Sequence, residues 1–212
     1  MINPIVNFSA ACGTARDQFG RGTCLAFASS DFNQHANGSN DALSIDYLAH
    51  HAAKQIKGWK AGDGLTMSSA IGALHVPGQP PEVQYAYDPN DHARPLAVVP
   101  TVAGPLLTSK VTKRRLNPAL IHDTLKAGKL VCLALALSDK FFSPKGGIVE
   151  YATDYVPDAA HAVVAVGLGT HISTNDLHVL IRNSWGVTWG NSGHAWLPTQ
   201  YLETHLIDSF AL

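Results

Sequence analysis

The spacing of apolar positions changes near the middle of the chain. From Cys24 to Ala36 the residues are mostly small and apolar, without a proline, and follow Gly20 and Gly22. That pattern predicts a helix opening at Thr23 or Cys24, with Thr23 in the capping position. Residues 43–57 carry a second helical pattern, with Ser44 near its start and Gly58 just past its end. A third short helix is expected over 66–74, after the glycine turn Gly62-Asp63-Gly64. The first hundred residues read as mainly helical.

The second half reads differently. Residues 130–137 are an apolar run that fits a buried strand, ending near a turn at 143–147. Residues 162–168 (AVVAVGL) and 177–181 are two more such runs, and 193–197 continues the pattern. Between the halves, residues 87–118 are rich in proline and aperiodic. They contain Lys110, Lys113, Arg114 and Arg115, a short basic group that reads as a solvated loop face. Asn117 or Pro118 then opens a helix through Leu125, closed by Gly128. Helices first and strands afterwards argue for an α+β protein with two lobes.

Composition narrows the function. Of 212 residues, 46% are hydrophobic and only 15% charged, which supplies a core and excludes bulk disorder. Fifteen Lys+Arg against sixteen Asp+Glu leave a net charge of −1, so no global field attracts a polyanion and no nucleic-acid partner is expected. No apolar run is long enough to span a bilayer, so no membrane partner is expected either. Residues 1–9 lack the basic start and apolar stretch of a signal peptide. The expectation is a protein that is cytoplasmic or delivered from the cytoplasm, with a mature secreted form as the other option. Three cysteines, Cys12, Cys24 and Cys132, are too few for a disulfide scaffold and leave an odd thiol.

Cys24 follows a glycine-rich turn and opens a predicted helix, where the positive end of the helix dipole favours thiolate over thiol. His161 stands directly before an apolar strand, a junction that can hold an imidazole rigidly. His50 and His51 are adjacent rather than at metal spacing and read as helix-surface residues, and no metal site is expected. Asn183 lies in Arg182-Asn183-Ser184-Trp185-Gly186, with Trp189 close behind. Its amide can orient an imidazole, and the tryptophans can screen that hydrogen bond from water.

Together these segments resemble the papain-like cysteine peptidases. The stretch from Gln18 through Cys24 to Ala28 is similar to their nucleophile segment, His161 to Gly167 to their histidine strand, and Asn183 to Gly193 to their asparagine segment. Leu43 to Leu48, the run through Tyr85 and Tyr87, and the tail from Leu197 to Phe210 extend the likeness in order, the tail being similar to bacterial members. The sequence departs from the family at Arg21, where a cysteine is usual, at Leu25, where an aromatic residue is usual, and at the glycine turn, which lacks cysteine. The usual lobe disulfides therefore cannot form, and Cys12 and Cys132 are expected as buried free thiols.

The resemblance implies one papain-like catalytic domain over 1–212: a helical lobe at about 10–105 and an antiparallel, β-barrel-like lobe at about 106–212. The terminal segments cross over, and the active site lies in the cleft between the lobes. It implies cysteine endopeptidase chemistry without a cofactor, with Cys24 as nucleophile, His161 as acid and base, Asn183 as orienter and Gln18 in the oxyanion hole. Gly64 would pair with substrate backbone, while Ala162 and Cys132 or Leu133 would line an apolar side-chain pocket, with Trp185 covering the site. Partners implied are a protein or peptide substrate and a protein inhibitor or regulator; the sequence sets no oligomeric state. Two other readings share these residues: an acyl-transfer enzyme such as a deamidase, transpeptidase or effector, and a catalytically silent binding module.

Overall fold

A computed structural model describes residues 1–113 and 116–212. Among the described residues, five helices and seven strands form α1 (Cys24–Ala36), α2 (Ile45–Ala53), α3 (Met67–His75), α4 (Pro118–Lys126) and α5 (Thr199–His205), with β1 (Ile2–Asn7), β2 (Thr112–Lys113), β3 (Val131–Ala136), β4 (Ala160–His171), β5 (Leu177–Arg182), β6 (His194–Pro198) and β7 (Leu206–Ala211). The helices start where short polar side chains satisfy free amides. Ser44 accepts from Tyr47 N–H, Asn117 from Leu120 N–H, and Thr66 and Ser69 close a reciprocal capping box. Thr23 occupies the cap position of α1, but its hydroxyl meets the Tyr87 hydroxyl at 2.9 Å instead of capping. α2 stops at Ala53, four residues short of the expected end, and the chain turns through to Gly58.

All strand pairs are antiparallel, in the order β2-β7-β3-β4-β5-β6, with β1 also on β4. β3 pairs with Ala160 to Ala165 of β4, and β1 takes over that edge from Gly167 to His171. Gly167 permits the handover: a Cβ there would sit 2.7 Å from the Val6 carbonyl.

The unbroken apolar runs are explained by burial on both faces of the sheet. One face carries Cys132, Val164, Val166 and Phe210 against α1, α2 and α3. The other carries Leu133, Leu135, Val163, Ala165 and Ile181 against α4, α5 and Phe141. Each fully buried Leu, Val or Phe contributes about 1.5–3 kcal/mol relative to exposure. His50, expected on a helix surface, is buried, because the 3₁₀ turn Arg94–Leu96 packs over α2. Burial lowers its pKa, with Lys54 adding to the effect. Of the basic group, Lys110 is exposed and Lys113 pairs with Asp208 at 2.9 Å, while Arg114 and Arg115 lie outside the described residues. No helix among the described residues is long and apolar enough to cross a membrane.

Candidate active site

Cys24 is the first residue of α1, half-buried, at the end of the loop from Asp17 to Thr23. Burial pushes its thiol pKa up, while the backbone N–H groups of Ala162, Leu25 and Cys24 itself, facing the sulfur, work the other way. Ala162 belongs to β4, so the sulfur sits between the helix end and the histidine strand. These two elements meet because α1 packs against β3 and β4.

His161 is held by the sheet, paired in register with Leu135 of β3. Its Nε2 lies 2.7 Å from Asn183 Oδ1, and that oxygen also accepts the Ser184 N–H at 2.8 Å. An oxygen that already accepts a backbone N–H must accept from the imidazole too. Nε2 therefore carries the proton, and Nδ1 keeps its lone pair. The Trp185 ring covers the imidazole at a centroid distance of 4.7 Å, with Phe141 at 6.0 Å. Phe142 stacks on Trp185 at 5.5 Å and 14°. Burial drives the His161 pKa down to about 4, against the Asn183 hydrogen bond, which raises it.

Gln18 is buried and fixed at every polar atom of its side chain. Nε2 donates to the Arg21 carbonyl at 2.7 Å, and Oε1 accepts the Ser184 hydroxyl at 2.6 Å. Its backbone N–H donates to Ser184 O at 2.8 Å, beside an isolated β-bridge between Asp17 and Trp185. The loop before Cys24 and the segment around Asn183 are thus stitched edge to edge. Phe19, next in the chain, has φ 51°, a left-handed conformation uncommon for a bulky side chain, and its ring is exposed.

A cavity of about 310 Å³ opens beside the thiol. Cys24, His161, Ala162, Leu65, Met67, Ala134, Ile207 and the Lys113–Asp208 pair line it. The sequence places Cys132 or Leu133 at this wall, and the structure corrects that. Cys132 is wholly buried one pleat deeper, and Leu133 points to the opposite core. Strand alternation makes Ala134, opposite Ala162, the residue that faces the cavity. Gly64 does not line the cavity; it is exposed beside it, one residue before Leu65, and its carbonyl accepts the Trp59 indole N–H at 3.0 Å. Asp208 and Ile207 were invisible from sequence because β7 carries no strong strand pattern, and Phe141 and Phe142 lie in an unremarkable turn. Cys12, Cys24 and Cys132 are all free.

Comparison with known proteins places the chain in a family. A model of the papain family cysteine proteases matches residues 8–209. A cathepsin L-like proteinase of Fasciola hepatica is 24% identical over 185 residues, covering 84% of this chain and 54% of that protein. Cathepsin K of Gallus gallus is 46% identical over 57 residues, 26% of this chain and 16% of that protein. The chain thus spans about half or less of these curated relatives. Among solved structures, a Carica candamarcensis cysteine protease in complex with E-64 superposes with TM-score 0.73 at 25% identity, covering 97% of this chain and 95% of that one. The digestive procathepsin L 3 of Tenebrio molitor superposes with TM-score 0.75 at 21% identity, covering 97% and 68%. A family match over nearly the whole chain, on a two-wall cleft holding cysteine, histidine and asparagine, establishes that the chain belongs to the papain family of cysteine proteases.

Proposed function

We propose that the protein is a cysteine endopeptidase that cleaves peptide bonds through a thioester formed on Cys24. The observation that carries this reading is the 2.7 Å contact between His161 and Asn183, which leaves Nδ1 free on a ring that shares a cavity with the thiol. Burial alone opposes charge on either group, raising the Cys24 pKa and lowering that of His161. Proton transfer from sulfur to Nδ1 creates both charges together, and each then stabilises the other, aided by the helix N-terminus.

The thiolate attacks the carbonyl carbon, and the carbonyl π electrons move to oxygen. The Gln18 Nε2 hydrogen not used by Arg21, together with the Cys24 N–H, stabilises that oxyanion. Collapse expels the amine, which takes the proton from His161. Water then adds to the thioester with His161 as base and frees the acid and the thiol. Asn183 keeps the ring oriented under Trp185.

Apolar walls around the cavity and the mutual neutralisation of Lys113 and Asp208 favour an apolar substrate side chain. A peptide library is expected to show that preference, and a preference for charged side chains at that position would overturn it. The activity itself is tested by alkylation with iodoacetamide and turnover of unfolded protein. Cys24 is expected to react rapidly and selectively, with labelling lost in Cys24→Ala and slowed in His161→Ala, and with unfolded protein degraded only when both residues are present. Equal slow labelling of all three thiols would defeat the enzyme reading. Rapid labelling without proteolysis would point to acyl transfer instead.

A further inference from the structure

Arg21 occupies the loop three residues before the nucleophile and is almost wholly buried, an unusual place for a guanidinium. Its environment is built for it. Nη2 lies 2.8 Å from Asp46 Oδ1, out of line for a hydrogen bond, so the contact is an ion pair. Nη1 donates to the Asp88 carbonyl at 2.6 Å, and the guanidinium carbon sits 4.5 Å from the centre of the Tyr87 ring. Asp46 is itself anchored in α2, takes the Asp88 N–H at 3.0 Å and pairs with Arg94 at 3.2 Å.

These contacts return to the catalytic loop. The Tyr87 hydroxyl donates to the Gln18 carbonyl at 2.8 Å. The Arg21 carbonyl accepts the Gln18 side-chain amide at 2.7 Å and the Thr23 N–H at 2.8 Å. Gly22 brings the same loop against the glycine turn, where a Cβ would stand 3.1 Å from the Gly62 carbonyl. The loop holds no disulfide, since all three cysteines are free. Its fixed point is a buried charge.

The geometry points to Arg21 as a positioning residue for the oxyanion hole. Its guanidinium is locked to Asp46, Asp88 and Tyr87, and this places its carbonyl where it fixes the direction of the Gln18 amide. Arg21 touches no reacting atom and acts through Gln18. This rests on the assignment of Gln18 to the oxyanion hole made above.

The experiment compares Gln18→Ala, Arg21→Lys and their combination, using a fluorogenic peptide for kcat and KM and iodoacetamide for the thiol. Alkylation displaces iodide without forming an oxyanion, so it reports the thiol and not the hole. Arg21→Lys is expected to lower kcat about tenfold with KM within twofold, to leave the alkylation rate within twofold of wild type, and to add nothing in the Gln18→Ala background. The pair Arg21→Gln with Asp46→Asn removes both charges of the ion pair, so that a loss of kcat cannot be laid to a carboxylate left with Arg94 as its one cation; the same pattern is expected. A loss of kcat that persists in the Gln18→Ala background, or alkylation falling in parallel, would reduce Arg21 to a structural residue. If Gln18→Ala keeps wild-type kcat, the assignment of Gln18 is what fails. If Gln18→Ala is impaired and both Arg21 variants are not, the role of Arg21 alone is overturned.

Discussion

The two walls of the cleft are built by different means. The histidine wall is sheet: His161, Asn183 and Trp185 stand on or just beyond β4 and β5, whose backbone ladders set their spacing. The cysteine wall is a loop running into a helix. There Cys24 opens the helix, and Gln18 ahead of it is held largely by side-chain contacts, through its own amide, Tyr87, Ser184 and the Arg21–Asp46 pair behind the loop. A ladder of backbone bonds survives most substitutions, because every residue except proline supplies the same groups. A loop fixed by polar side chains depends on each of them. The sheet wall should therefore lose function without losing structure, and the joints between the walls should lose structure first.

The largest effect expected on that contrast is at Asn183. Asn183→Ala removes the only side-chain partner of His161 Nε2 among the described residues, and kcat is expected to fall about 10²-fold. The melting temperature should move little, since β5 keeps its pairing to β4 and β6. A collapse of the fold in this variant would break the comparison.

Arg182 tests the joint. Its guanidinium, 2 % exposed, bonds Asp31 of α1 at 2.7 Å and the carbonyls of Cys12, Gly13 and Thr14. Arg182→Met leaves Asp31 with Arg16 as its remaining cation, and a loss of about 3–5 kcal/mol is expected, a drop of roughly 10 °C in melting temperature. An unchanged melting temperature would show that the walls are joined by packing alone.

The smallest effect is on pH. The folded protein holds His161 near a pKa of about 4, against an ordinary value of 6.5, so between those values the unfolded chain binds the proton that the folded one refuses. Stability should accordingly decline as pH falls from about 6.5 to 4. His51, also lowered to about 4 by burial and by the nearby His50 and Lys54, adds to the same slope. Melting curves of His161→Gln should show a shallower decline, and a steeper one would contradict burial as the cause.

Much of this was legible in the chain, and what was not has physical reasons. Cys24, His161 and Asn183 could be found because each lies in a local pattern of helix start or strand edge. Cys132 was misplaced by one pleat, since an apolar run buried on both faces does not disclose which residue reaches the cleft. β1 and β7 went unread because Ile2–Asn7 contains a proline and Leu206–Ala211 contains Asp208 and Ser209. They become strands through their partners in the sheet. His50 looked solvent-facing because the turn that covers it comes from residues 94–96, over forty positions later.

β7 lies between β2 and β3, and its Asp208 helps to line the cavity, so the last strand of the sheet is also part of the site. Arg182 reaches Asp31 across 151 positions and Cys12 across 170. Contacts that close loops of this length carry a large loop-closure entropy, whereas α1 is built from neighbours in sequence. The thiol therefore sits on a locally encoded element, while its imidazole and its pocket depend on residues far away along the chain. The two ends of the chain have to meet for the cavity beside the thiol to exist at all.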